Sequence, residues 1–350
     1  MPDRLSRRSS LTALAALPWL ATGSGRAKAG STANKPLTPM PAAAASAPAK
    51  VWRVGPGQAL TRIADALQRA GEGDTVEVLP GIYRGDVAVI TQRRLRIVGL
   101  SERPWLHADG QHAEGKAIWV VRHGDVQIEN IGFRGCRVPD GNGAGIRFER
   151  GNLRLSGCAF ADHEIGLLTS NHAESSLALT RCEFSDAPVN PVDLSHLVYV
   201  GRIGILKVDG CHFWGGRDGH LLKSRARESV ITRNRFDDGP DGQASYEIDL
   251  PNGGIATIER NTVIQSPLSR NPVMLAYGAE GVHWPENRLT LRDNTFVNRL
   301  PASGWFVRVW AERLPTATVV LSQRNRYLGA GSLALGPQGQ SIADQRGAVP

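Results

Sequence analysis

Four segments in the middle of this 350-residue chain carry side chains that can transfer protons or bind an anionic ligand. Lysine or arginine can neutralise a carboxylate, and a lysine whose pKa is lowered can act as a base. Tyrosine, histidine or arginine can protonate a leaving oxygen. Together these steps would remove the C5 proton of a uronate and break or invert its linkage. The candidate catalytic residues are Lys223, His220, His196, Tyr199 and Tyr246, and the candidate substrate-binding residues are Arg225, Asp249, Asn252, Tyr277 and Glu280.

Several of these residues also have a structural interpretation. Lys223 and Arg225 would face water on an exposed strand whether or not they bind a ligand. His196 and His220 are alternatively hydrogen-bonded structural histidines. No cofactor and no metal site is predicted, apart from a weak calcium-like spacing in a glycine-rich loop that a plain polar turn explains better. The acidic residues of that loop are Asp237, Asp238 and Asp241.

A repeated pattern indicates how the four segments are positioned. An aliphatic residue is followed three residues later by Asn, Cys or an aliphatic residue, and two residues after that by an aromatic or aliphatic one. The third positions are separated by 27, 24, 29, 23, 27, 33 and 31 residues. They are Phe133, Phe160, Phe184, Phe213, Phe236, Val263, Phe296 and Tyr327.

These units predict a coil of short stacked strands. Each unit alternates apolar and polar residues over a strand length, ends at a turn, and contains no helix-length apolar period. A repeat of about 25 residues suits a solenoid in which identical positions stack about 4.8 Å apart. We therefore expect an asparagine ladder at Asn234, Asn261 and Asn294, and one all-β domain of eight or so turns over residues 51 to about 330.

The four cysteines fit the same scheme. Cys158, Cys182 and Cys211 occupy the ladder position, whereas Cys136 lies outside it. Buried, unpaired thiols are expected, since free cysteine packs as a small apolar residue. A disulfide between neighbouring turns is the alternative that their spacing allows.

The N-terminal part of the domain carries a family resemblance. Residues 58–70 place Leu60, Ile63, Ala64 and Leu67 on one helical face, which predicts a helix that caps the first turn. With that helix, the stretch 73–83 (GDTVEVLPGIY) and the repeated turns, residues 51–330 resemble the pectin-lyase-like right-handed parallel β-helix superfamily. Its members include lyases, hydrolases, epimerases, esterases and phage tailspikes, so the resemblance implies the fold more than the activity.

One segment is also similar to the base-bearing turn of β-helix alginate and chondroitin lyases. In that family a lysine in an Asn-Lys-Ser run acts as the base, and Lys223-Ser224 matches the last two of these positions. An Arg-His pair on the following turn supplies the acid there, but residues 249–253 (DLPNG) stand in its place. The resemblance implies Lys223 as the base and leaves the proton donor open.

The N-terminus has the features of an export signal. Arg7 and Arg8 precede a short apolar run and then small residues, so residues 1–30 are predicted to be a twin-arginine signal peptide, with an ordinary secretory signal as the alternative. Residues 31–50 are predicted to be an Ala/Pro-rich linker, and residues 51–350 the β-helix with an irregular C-terminal tail. Residues 1–50 hold seven of the 41 basic residues and one of the 33 acidic ones. The remainder is therefore nearly neutral, which does not favour nucleic-acid binding.

The resulting hypothesis is a periplasmic or secreted monomer, without membrane insertion, that acts on an acidic polysaccharide. A lyase or C5-epimerase is favoured. The alternatives are a hydrolase of the polygalacturonase type, which Gly219-His220 and Asp249 faintly resemble, and a non-catalytic glycan-binding protein.

Overall fold

The structure, a computed structural model, describes residues 48–349. The predicted export signal over residues 1–30 and the linker up to residue 47 lie outside the described residues. No helix in the part described is long and apolar enough to cross a membrane.

The chain winds through three parallel sheets, named A, B and C in the order in which each turn visits them. The strands of sheet A are Val51–Val54, Thr75–Val78, Arg94–Gly99, Asp125–Glu129, Asn152–Ser156, Ser176–Thr180, Ile205–Asp209, Glu228–Thr232, Ile255–Glu259, Arg288–Arg292, Val319–Gln323 and Gln340–Ile342. Sheet B contains Ile82–Arg84, Trp105–His107, Gly132–Arg134, Ala159–Ala161, Glu183–Ser185, His212–Trp214, Arg235–Asp237, Thr262–Gln265, Thr295–Asn298, Arg326–Leu328 and Gln345–Gly347. Sheet C contains Ala88–Ile90, Ala117–Val121, Ala144–Phe148, Ile165–Thr169, His196–Val200, Leu222–Ser224, Ile248–Leu250, Val273–Tyr277, Gly304–Val309 and Gly331–Ala334.

This arrangement confirms the all-β, right-handed parallel β-helix. It has about 11 turns, so the expectation of eight or so was too low. The expectation left out the N-terminal turns, in which Tyr83 and Leu106 take the position that phenylalanine fills in later turns. Tyr83 pairs in register with Leu106, and Leu106 pairs with Phe133. Strands also continue over residues 331–347, where an irregular tail was expected, and they extend all three sheets.

The asparagine ladder lies at the bend between sheets A and B. The backbone turns there through a residue with positive φ, such as Arg233 (56°) and Arg260 (55°), which is an uncommon conformation for a residue other than glycine. The next residue is the ladder residue. The side-chain oxygen of Asn261 accepts from both the backbone and the side-chain nitrogen of Asn234, at 2.8 and 3.0 Å. Asn294 binds Asn261 in the same way, so these bonds satisfy backbone groups that the bend would otherwise leave unpaired.

Stacked phenylalanines fill the interior beside sheet B. The rings of Phe133, Phe160, Phe184, Phe213 and Phe236 lie 4.6 to 5.1 Å apart and nearly parallel, as strand stacking requires. All four cysteines are buried and free, which confirms the expectation of unpaired thiols.

The helix near the N-terminus covers Ile63–Arg69 and buries the apolar face expected from the sequence. Its first turn is held by Asp86, whose carboxylate oxygens accept from the backbone nitrogens of Ile63 and Ala64 at 2.6 and 2.9 Å. These bonds satisfy donors that a helix N-terminus leaves free. A 3₁₀ turn at Ala311–Arg313 is the other helical element among residues 48–349.

Candidate active site

Sheet C brings the central candidates into one column. Tyr199 pairs with Lys223, and Lys223 pairs with Asp249 on the next strand. Side chains at paired positions of parallel strands point to the same face of the sheet. The residues between them, such as Leu222 and Ile248, face the core. Tyr199, Lys223 and Asp249 therefore form a continuous polar line on the outer face of sheet C.

The amine of Lys223 lies between two carboxylates. Its Nζ atom is 3.5 Å from Oδ2 of Asp249 and 3.1 Å from Oε1 of Glu280, which comes from the loop after the next strand. Nζ also lies 5.6 Å from the centre of the Tyr199 ring. The Lys223 side chain is only 12% exposed, so its charged end is held in place and is not free in solvent.

Arg225 connects the other polar groups. Its Nε donates to the Tyr199 hydroxyl at 3.0 Å, and Nη1 donates to Oε2 of Glu280 at 2.6 Å and to the side-chain oxygen of Asn252. Burial alone would lower the pKa of Arg225, but the bonds to Glu280 and Tyr199 raise it. Its backbone oxygen accepts from the Trp284 indole at 3.0 Å. Arg225 is thus a fixed cation directly beside the Tyr199 hydroxyl.

Glu280 is the most exposed charged group at the site, with 45% of its side chain accessible. Partial burial would raise the pKa of its carboxyl. The hydrogen bond from Arg225 and the positive charges of Lys223 and Arg225 outweigh burial and hold that pKa below its usual value. An ionised, accessible carboxylate therefore occupies the position at which Arg225 would meet an anionic ligand.

The two histidines lie beneath the polar line. Nδ1 of His196 accepts the backbone N–H of His220 at 2.9 Å, which leaves the ring proton of a neutral imidazole on Nε2. Burial, reinforced by the positive charges of Lys223 and Arg225, lowers the pKa of His196 well below its usual value. Nε2 of His220 lies 3.3 Å from Oδ2 of Asp249, and its ring packs against Tyr246. Both histidines are buried, so they support Asp249 and the strand without facing a ligand.

Tyr277 is not at the surface, which corrects its assignment to substrate binding. Asp249 pairs with Ala276, so Tyr277 lies one residue further along and faces the core. It is fully buried, and its hydroxyl donates to the backbone oxygen of Gly254 at 2.5 Å. Its role is to pack the interior.

The glycine-rich loop of the calcium-like spacing is organised by hydrogen bonds within the protein. Asp238 is buried and accepts the backbone N–H groups of Gly216 and Ala244 at 2.6 and 2.8 Å. Asp237 forms an ion pair with Arg235. The Asp238 carboxylate thus holds its own loop, as the polar-turn interpretation expects.

Two surface depressions meet at Tyr199. One, of about 510 Å³, is lined by Arg147, Leu168, Ser170, Asn171 and Tyr199, among others. The other, of about 400 Å³, is lined by Asn171, Tyr199, Arg202, Arg225, Asn252, Val282 and His283. Arg202, Asn171 and His283 lie in loops after strands and were not among the residues predicted from the sequence. Their spacing of about one turn from the candidate residues was the feature of the sequence that could have indicated them.

The comparisons with known proteins agree with this architecture. A family model described as "Right handed beta helix region" matches residues 116–296, which is more than half of the chain. The chain belongs to this family of right-handed β-helix proteins. No curated protein sequence matches it significantly.

Solved structures show the same fold. The chain is similar to an alginate lyase from Paenibacillus sp. str. FPU-7, with a TM-score of 0.59 and 14% identity over 83% of this chain and 99% of that one. It is also similar to ORF18 of Geobacillus virus E2, with a TM-score of 0.50 and 14% identity over 81% of this chain and 56% of that one. At such identities the similarity concerns the fold alone.

Proposed function

We propose that the protein is an exported enzyme that cleaves, or epimerises at C5, a uronate-containing polysaccharide. The observation that carries the proposal is the position of the Lys223 amine. It lies on the outer face of sheet C, 5.6 Å from the centre of the Tyr199 ring, and the hydroxyl of that tyrosine already accepts a hydrogen bond from Arg225. The resemblance of Lys223-Ser224 to the base-bearing turn of β-helix lyases and the export signal predicted for residues 1–30 support the same function.

In the proposed elimination, the Lys223 ammonium first releases a proton to solvent, and the amine so formed removes the C5 proton. The C5–H electrons form the C4–C5 double bond, the C4–O4 bond breaks, and the Tyr199 hydroxyl protonates O4. Lys223 becomes an ammonium, which Asp249 stabilises at 3.5 Å. The Tyr199 phenolate is stabilised by Arg225, whose Nε already donates to its oxygen. Each group is therefore placed to stabilise the charge that develops during the reaction.

The substrate carboxylate would bind to Arg225 and Asn252 in the place that Glu280 now occupies. A guanidinium binds a carboxylate through short charge-assisted hydrogen bonds, and withdrawing charge from the carboxylate acidifies the C5 proton. The side chain of Glu280 is more exposed than those of Lys223 and Arg225, so it can move into solvent when the substrate carboxylate takes its place. An epimerase would use the same proton removal but return a proton to the opposite face of C5 without breaking the linkage.

The test is incubation of the purified protein with alginate, pectate, glycosaminoglycans and bacterial exopolysaccharides, with and without calcium. Alginate comes first because a similar fold is found in an alginate lyase. Elimination creates an unsaturated uronate that absorbs in the ultraviolet, whereas epimerisation exchanges the C5 hydrogen with solvent deuterium without new chain ends. New reducing ends without that absorbance would replace the proposal with a hydrolase. Binding without any turnover would replace it with a glycan-binding protein.

A further inference from the structure

Two exposed arginines lie at the bend between sheets C and A, outside the proposed catalytic group. Arg150 lines a depression of about 420 Å³, and Arg202 lines the depression that also contains Arg225. Neither side chain forms an ion pair or hydrogen bond with any residue of the segment 48–349; the backbone N–H of Arg202 alone is engaged, by Asn171. Charged side chains that have no partner and line a concave surface are available for an external anion.

Strand pairing places these arginines in register. Phe148 pairs with Thr169. Arg150 and Asn171, each two residues further along the chain, are therefore also in register. Pairing of the following strand puts Arg202 at the equivalent position one turn further on. Because strands of neighbouring turns are about 4.8 Å apart, Arg150 and Arg202 are separated by about 10 Å along the helix axis. The turn between them presents the neutral amide of Asn171.

The surface between the two arginines is continuous with the candidate active site. Asn171 and Tyr199 border two of the depressions at once. The third depression, around Arg150, also contains Glu149, whose carboxylate accepts a hydrogen bond from Ser170 in the neighbouring one. The three depressions therefore adjoin one another along the helix axis, and the groove that they form passes Tyr199 and continues to Arg225.

The geometry of uronate polymers can be matched to this spacing. In a 1,4-linked pyranuronate chain with equatorial linkages, successive residues are turned by half a rotation, so every second carboxylate projects to the same side. The sugars are also nearly as long as the distance between turns of the protein. Axial linkages shorten and buckle the chain, and the carboxylates then recur at a shorter interval.

We propose that Arg150 and Arg202 form two carboxylate subsites that select a 1,4-linked uronan with equatorial linkages. The polymer lies along the helix axis, its alternate carboxylates bind the two arginines, and the sugar between them passes over Asn171. This inference rests on the proposed function, because the groove leads to the group around Lys223. It adds the substrate geometry and two residues that set specificity.

The test measures binding by calorimetry in the Lys223→Arg variant, which should not turn over its ligand. The probes are octasaccharides of mannuronate, with equatorial linkages, and of guluronate, with axial linkages. We expect the mannuronate octasaccharide to bind at least about tenfold more tightly, since each arginine contributes one charge-assisted contact. Arg150→Gln and Arg202→Gln should each weaken it about tenfold and reduce the preference. Arg227→Gln is the control, because Arg227 is exposed near the same bend but lines none of these depressions.

Equal binding of the two octasaccharides, no binding of either, or unchanged affinity in Arg150→Gln would overturn the inference. A parallel assay of the native protein for unsaturated products separates the two proposals. Selective binding that depends on the two arginines, without any turnover, would refute the proposed enzyme activity and support the carboxylate subsites. Turnover that is unchanged in Arg150→Gln and Arg202→Gln would support the enzyme activity and refute the subsites.

Discussion

The Nζ atom of Lys223 lies 3.5 Å from Oδ2 of Asp249, its register partner on the neighbouring strand of sheet C. The Asp249 side chain is only 3% exposed. The same oxygen lies 3.3 Å from Nε2 of His220, so the buried carboxylate holds a lysine on one side and a histidine on the other. A buried charge needs such partners, and the pairing explains why the lysine is held at the surface of the sheet.

Replacing Lys223 tests its role as the base. Lys223→Ala should lose about 10²- to 10⁴-fold in turnover, the usual contribution of a general acid or base. Because this change also removes a partner of Asp249, Lys223→Arg is the more informative variant: it keeps the charge but holds its proton far more tightly. Thermal unfolding should show that Lys223→Arg folds normally, while turnover stays low. Lys207→Ala, on the exposed face of sheet A, is the matched control. Near-normal turnover of Lys223→Arg would refute the assignment.

Two tyrosines from the sequence prediction can be separated by their surroundings. The Tyr199 hydroxyl accepts from Arg225, whereas Tyr246 packs its ring against His220. We expect Tyr199→Phe to lose about 10²-fold or more in turnover with little change in substrate affinity, since only the proton donor is removed. Tyr246→Phe should keep most of its turnover. Steady-state kinetics on the identified polymer would decide, and the reverse ranking would make Tyr246 the donor.

Glu280 is expected to compete with the substrate. It holds Arg225 at 2.6 Å, and a uronate carboxylate must replace it there. Glu280→Gln should therefore lower the Kd for an anionic oligosaccharide, because a like charge that opposes binding is removed. Measuring Kd in the Lys223→Arg background separates this effect from turnover. Glu286→Gln, an exposed residue later in the same loop, should leave Kd unchanged. Weaker binding by Glu280→Gln would show that Glu280 itself contacts the ligand.

The interior of the protein was predictable because successive turns place the same kinds of residue at the same stacked positions. Asn234, Asn261 and Asn294 follow one another at the bend, and each needs the same hydrogen bonds as its neighbour. The spacing of these residues therefore reports the fold directly. The number of turns was underestimated where Tyr83 and Leu106 fill the aromatic position, since they satisfy the core without repeating the pattern.

The outer face was harder to predict because it depends on strand register. Tyr277 is the last residue of the strand Val273–Tyr277 and lies in the core, whereas Glu280, in the loop that follows, reaches Lys223. A difference of one residue in register moves a side chain to the other face, and loops of unequal length hide that register in the sequence. The burial of His196 was equally hidden, because its partner is the backbone of His220.

An interior carboxyl gives the last prediction. Glu247 is fully buried, and neither of its side-chain oxygens has a hydrogen-bond partner among residues 48–349. Burial, and then repulsion from Asp238, raises the pKa of Glu247 well above its usual value. Burial also raises the pKa of Asp238 to about 6, although two backbone N–H groups oppose it. Both groups are therefore held protonated at a pH where the unfolded chain has released their protons.

The direction of the pH dependence follows. Above the ordinary values of 3.8 for Asp238 and 4.5 for Glu247, the unfolded chain binds fewer protons than the folded one. The free energy of unfolding therefore falls as pH rises, by up to about 1.4 kcal/mol per pH unit for each such group. For Asp238 the fall ends near pH 6, where the folded group ionises, and for Glu247 it continues to higher pH.

Glu247→Gln removes one of these two groups while nearly preserving its shape. We expect the variant and the native protein to have similar unfolding free energies well below the ordinary glutamate pKa, and the variant to be increasingly the more stable as pH rises towards neutrality. Urea unfolding at a series of pH values measures this difference. Glu174→Gln, an exposed carboxylate, should follow the native curve throughout. A constant difference between Glu247→Gln and the native protein across the series would mean that Glu247 does not change its proton binding on unfolding, because only a pKa shift makes the difference depend on pH.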